Sequence, residues 1–152
     1  MPGRRRAREY ALQALCAVDI AGVSGGAALT GLWQARLDDT DEVVDVVSPG
    51  EAEFAQALVR GVLDEKADID TRIEGSSTNW RLTRMPVVDR NILRLGTYEL
   101  IQRSDIPASV SINEAIELAK KFGGAESRAF VNGILDRIAG DIGRGGRRGK
   151  TK

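Results

Sequence analysis

The 152-residue sequence contains no histidine. Without imidazole there is neither Ser-His-Asp nor Cys-His machinery, and no histidine metal site. A single cysteine, Cys16, precludes an intramolecular disulfide, and a reducing compartment, the cytoplasm, is the simplest setting. Cys16 lies beside Leu15 and Val18 and reads as a small, half-buried apolar residue. No run of about eighteen apolar residues exists, so no segment reads as membrane-spanning. The arginines near the start are followed by Glu9, Gln13 and Asp19 rather than an unbroken apolar stretch, which excludes a secretory signal. Gly123-Gly124 lack the strand-loop-helix context of a phosphate loop and read as a helix end. No catalytic constellation remains, and neither an enzyme, a cofactor nor a metal is expected.

Net charge is absent in total but not locally. Lys plus Arg and Asp plus Glu both number 22, so the net charge alone asks for no polyanionic partner. Yet Arg4, Arg5, Arg6 and Arg8 crowd the start, and Arg144, Arg147, Arg148, Lys150 and Lys152 crowd the end. From Asp38 to Glu53 there are acids and no base. Two basic termini therefore flank an acidic middle.

The apolar pattern is helical throughout. Ala7, Ala11, Ala14, Leu15 and Val18 share one face of a helix over residues 4–20, and a second runs over 27–37 with Leu29, Leu32 and Trp33 inward. Ser48-Pro49-Gly50 is a loop signal, and Val43, Val44, Val46 and Val47 could make a short strand with nothing to pair it. A third helix begins near Glu51 with Phe54, Leu58 and Val62 on its stripe, and continues or restarts through Ile73. Pro86 marks a helix start. Ser111 with Glu114 has the form of a capping box, opening a helix that stops at Gly123-Gly124. A last helix spans 127–142, burying Val131, Ile134, Leu135 and Ile138. The class is all-α, a compact bundle-like domain of five to seven helices over residues 1–142, with a disordered Gly-rich basic tail over 143–152.

Two features remain unexplained by packing. Arg4, Arg5, Arg6 and Arg8 sit at a helix N-terminus, where the dipole is already positive. A chain that accepts that cost either reserves the end for an anion, which guanidinium groups grip bidentately, or leaves it as a solvated basic terminus. Phe122 follows Lys120 and Lys121, and Phe130 follows Arg128 by two positions. Aromatic rings beside cations are what unpaired bases stack on, although spacing alone favours two core residues.

Residues 4–15 (Arg4-Arg5-Arg6-Ala7-Arg8-Glu9-Tyr10 through Leu15), 79–82 (Asn79-Trp80-Arg81-Leu82), 88–100 (Val88-Asp89-Arg90-Asn91 through Leu100), 105–123 (Asp105-Ile106-Pro107 through Gly123) and 130–136 (Phe130-Val131-Asn132-Gly133 through Asp136) together resemble the NusB family of transcription antitermination factors. The resemblance implies two small helical subdomains. It also implies binding to the single-stranded boxA element of ribosomal RNA leaders together with NusE, a ribosomal small-subunit protein, within the RNA polymerase antitermination complex. Its RNA-contacting residues would fall on Arg4, Arg5, Arg6, Arg8, Phe122, Glu126 and Phe130, which moves the phenylalanines from core to surface, and Arg128, the cation beside Phe130, is expected to join them. The sequence departs from the family at Cys16, where an aromatic is common, and residues 27–77 match little by motif. The same helical domain occurs fused to an RNA cytosine methyltransferase, but the glycine-rich cofactor loop and catalytic cysteine of that enzyme are not in these 152 residues. The competing reading is a protein-interaction module, or a homodimeric storage form, in which RNA plays no direct part.

Overall fold

The computed structural model describes residues 2–38, 47–78 and 80–144. Among them are seven α-helices and no strand: α1 Pro2–Ala21, α2 Gly25–Asp38, α3 Pro49–Asp64, α4 Lys66–Ser76, α5 Val87–Gln102, α6 Ala108–Phe122 and α7 Ser127–Asp141, with a 3-10 turn at Leu82–Arg84. The expected all-α class holds. Val43, Val44 and Val46 of the suspected strand, and residues 145–152 of the expected tail, lie outside the described residues. The chain divides into two compact helical units, Met1–Leu63 and Asp64–Lys152.

In the first unit α1 packs against α2 through small residues, Ala7, Ala11 and Ala14, all fully buried with Leu15 beside them. Tyr10 meets Trp33 of α2 edge-on, centroids 5.0 Å apart. Gly22 ends α1 at φ +72, a left-handed conformation that favours glycine, with its N–H donating to the Val18 carbonyl. Ser24 then caps α2 by accepting the Ala27 N–H at 3.1 Å. The start of α3 is a reciprocal capping box. The Glu51 N–H donates to Ser48 Oγ (3.2 Å) and the Ser48 N–H to Glu51 Oε1 (3.0 Å). Behind it Phe54, Ala55, Leu58, Val59 and Val62 are buried along one stripe. The third helix restarts rather than continues, and Ile69 and Ile73 are the buried apolar residues of the separate α4.

The second unit is organised on α5, whose residues 91–97 are all buried. It packs against α4, α6 and α7, and a polar contact ties it to each. Arg94 forks onto Asp70 of α4 at 2.8 and 3.2 Å and also donates to Asn91 Oδ1. Ser111 of α6 donates to Glu99 Oε1 at 2.9 Å, and Ser127 of α7 to Asp89 Oδ1 at 2.7 Å. Gly96 admits Leu135: a Cβ there would lie 2.7 Å from the leucine Cδ1. The capping box expected at Ser111 and Glu114 is not formed. Helix α6 begins one turn earlier, at Ala108 after Pro107, and the Ser111 hydroxyl is spent on Glu99. Arg144, at the head of the expected tail, donates to the Leu100 and Ile106 carbonyls, both at 2.6 Å, across the α5–α6 turn. Within that turn Arg103 forks onto Asp105, a hydrogen bond that raises the arginine pKa.

Candidate nucleic-acid interface

The arginines at the start of α1 are not equivalent. Arg4 is half-buried, with its guanidinium 4.6 Å from the centre of the Phe54 ring. Arg5 is exposed. Arg6 forms an ion pair with Glu51, Nε to Oε2 at 3.0 Å, so the residue that caps α3 also anchors the arm. Arg8 is 4% exposed and lies 5.4 Å from the Phe54 ring. Phe54 thus lies within cation–π reach of two guanidinium groups, an arrangement that orients the arm. Beside it is a depression of about 670 Å³ lined by Gly3, Arg4, Ser48, Glu51, Glu53 and Phe54 among others. Arg4, Arg5 and part of Arg6 present positive charge to solvent, while Arg8 holds the arm from below.

The second group of expected residues lies in the Asp64–Lys152 unit, around the α6–α7 turn. Phe122 ends α6 half-buried, with Lys121 Nζ 5.5 Å from its ring centre. Gly123 follows because there is no room for a side chain: a Cβ would lie 2.6 Å from Ser127 Oγ and 2.8 Å from the Ala119 carbonyl oxygen. Ser127 Oγ accepts the Gly124 N–H at 2.9 Å while donating to Asp89, which fixes the turn to the start of α5. Glu126 stands at the N-cap of α7, exposed and without a side-chain capping bond. Phe130 is half-buried.

Four residues apart on α7, Glu126 and Phe130 share a face, whereas Arg128, exposed and two residues from each, faces elsewhere. Phe122 and Phe130 make no ring contact with each other among the described residues. The ring that meets Phe130 belongs to Trp80, centroids 6.5 Å apart and planes at 79°. Neither Trp80 nor Phe54 stood out as a site residue in the sequence. The available signal for Trp80 was a large aromatic ring between Asn79 and Arg81 with no apolar stripe to join. For Phe54 there was none, since it fits the buried face of α3.

The comparisons with known proteins agree along nearly the whole chain. The NusB family model matches residues 5–140. Transcription antitermination protein NusB of Myxococcus xanthus (strain DK1622) is 50% identical over 139 residues, spanning 91% of this chain and 96% of that protein. Among solved structures, NusB of T. maritima aligns at a TM-score of 0.77 and 40% identity, over 91% of both chains. A structure of the antitermination factors NusB and NusE in complex with dsRNA aligns at a TM-score of 0.78 and 26% identity, covering 93% of this chain and 98% of that one. A helical fold, an arginine-led first helix and matches of this length leave one assignment: the chain belongs to the NusB family of transcription antitermination proteins.

Proposed function

We propose that this protein is a non-catalytic, cytoplasmic adaptor that binds boxA-like single-stranded RNA of ribosomal RNA leaders together with NusE. In that role it supports RNA polymerase in reading ribosomal RNA operons past terminators. The observation that carries the reading is the arm. Three arginines occupy the positive end of α1, where they cost helix stability, and Phe54 and Glu51 hold two of them in place. A phosphate backbone offsets that cost.

Arg4, Arg5 and Arg6 serve as the phosphate contacts, with Arg8 as their support. Phe122 and Phe130 offer ring surface to unpaired bases, Glu126 an acceptor for a base N–H, and Arg128 a further phosphate contact on the neighbouring face of α7. The RNA-binding domain runs over residues 1–142, and Arg147, Arg148, Lys150 and Lys152 beyond it add diffuse attraction. The solved structure of NusB and NusE in complex with dsRNA, similar over 93% of this chain, supports NusE and RNA as partners here.

Mobility shift of a boxA-like RNA with and without NusE tests the reading. NusE is expected to raise RNA affinity at least about tenfold, a coupling of about 1.4 kcal/mol. Equal affinity in both titrations would favour the interaction module or homodimeric store instead.

A further inference from the structure

We propose that Trp80 is a further base-stacking residue, and that Trp80, Arg81 and Arg84 extend the Phe130 surface along the same unpaired RNA strand. The inference rests on the RNA-binding reading above and adds residues which that reading does not use.

Trp80 is 50% exposed, although indole is among the largest apolar side chains and usually finds cover. Its contact with Phe130 is close to perpendicular, and a perpendicular pair covers at most one ring face. Aromatic faces are left for a planar ligand. The turn that follows Trp80 is held by hydrogen bonds. The Leu82 N–H donates to Glu74 Oε2 of α4 at 2.9 Å, and the Arg84 N–H to the Arg81 carbonyl at 2.9 Å. Leu82 and Met85 are buried beneath the turn. Arg81, which precedes the turn, and Arg84, which ends it, are both exposed, while Leu82 and Met85 are buried.

Those two guanidinium groups are exposed and make no ion pair among the described residues. Elsewhere in this unit Arg72, Arg94 and Arg103 are paired with Asp68, Asp70 and Asp105. Two exposed, uncommitted cations in the segment that carries an open indole, itself against a second ring, form the combination that single-stranded nucleic acid selects. The cations follow the phosphates, and the rings take bases without regard to sequence.

The chain has two tryptophans, Trp33 and Trp80, so a Trp33→Phe background isolates the Trp80 emission. Titrating that protein with a single-stranded boxA-like RNA should quench Trp80 fluorescence at the concentrations that shift the RNA in a gel. In the otherwise native chain Trp80→Ala should weaken RNA binding by about 5- to 150-fold, and Trp80→Phe should recover most of it. The Arg81→Ala/Arg84→Ala pair should lower the log–log salt slope by about 0.7 for each phosphate no longer neutralised. Circular dichroism of each variant checks its fold, and the quenching readout needs no substitution at Trp80. Unchanged RNA affinity in Trp80→Ala overturns the proposal. So does quenching by NusE alone with no response to RNA, which would assign the surface to the protein partner. A native chain that binds no RNA sinks the proposed function itself, whereas native binding with an unaffected Trp80→Ala sinks only this inference.

Discussion

In the Met1–Leu63 unit, half-buried Arg4 lies against the Phe54 ring and half-buried Arg6 against Glu51. In the Asp64–Lys152 unit, Arg94 is buried and its fork is filled by Asp70 and Asn91. The same side chain is loosely committed in one place and fully committed in the other. A buried arginine whose donors are satisfied by carboxylate and amide oxygens joins helices and cannot reach a ligand. An arginine resting on a ring keeps its donors, because the ring occupies a face of the guanidinium and not its edge. The geometry thus separates arginines spent on holding helices together from arginines that a ligand could reach within one small chain.

The largest break in that comparison is expected at Arg94. Arg94→Ala leaves Asp70 and Asn91 facing a partly buried void, and should cost about 3 kcal/mol of folding free energy in urea denaturation. The Asp70 side chain is 20% exposed and keeps Lys66 at 3.4 Å, which limits the damage below that of a fully buried orphan charge. A loss under about 1 kcal/mol would put the pair in the class of surface ion pairs and erase the distinction between the two sets of arginines.

A smaller effect separates two serines. The pattern Ser-x-x-Glu occurs at Ser48–Glu51 and at Ser111–Glu114. Ser48 caps α3, so Ser48→Ala should cost about 1 kcal/mol. Ser111 instead donates to Glu99, which is 2% exposed, and Ser111→Ala leaves that oxygen without its donor at a cost of about 1–3 kcal/mol. If the two substitutions reverse in order by thermal melting, the buried ties of α5 matter less than its packing.

These serines also show what a sequence can carry. The helices were legible because apolar spacing reports a buried face directly, as at Phe54, Leu58 and Val62. The Ser-x-x-Glu pattern misled because it is local. Whether a serine caps or bridges depends on where the chain turns, and Pro107 had already started α6 one turn before Ser111. The candidate site was legible as residue types: arginines at a helix start, aromatics beside cations. Its geometry was not. That Arg8 is buried against Phe54, and that Trp80 rather than Phe122 meets Phe130, depends on elements far apart in the chain. No spacing rule reaches across those distances.

The smallest stability effect, and the sharpest test of binding, falls on Arg5 and Arg6. Arg5 is exposed at the positive end of α1, so Arg5→Ala should leave folding free energy within about 0.5 kcal/mol of native. Arg6 is different, because its ion pair with Glu51 engages the residue that closes the α3 capping box. Arg6→Ala should therefore lose up to about 1 kcal/mol, and the double variant should be no more stable than Arg6→Ala alone by more than a few tenths. RNA binding sorts the two differently. If both contact phosphates, each single variant lowers the log–log salt slope by about 0.7, and the double variant lowers it by about twice that. Should Arg6→Ala lose stability while its salt slope stays native, Arg6 belongs with Arg8 and Arg94 among the arginines that hold the fold. The binding arm would then reduce to Arg4 and Arg5. An unchanged slope in Arg5→Ala as well would leave the start of α1 as a solvated basic terminus, and the proposed RNA arm would not survive.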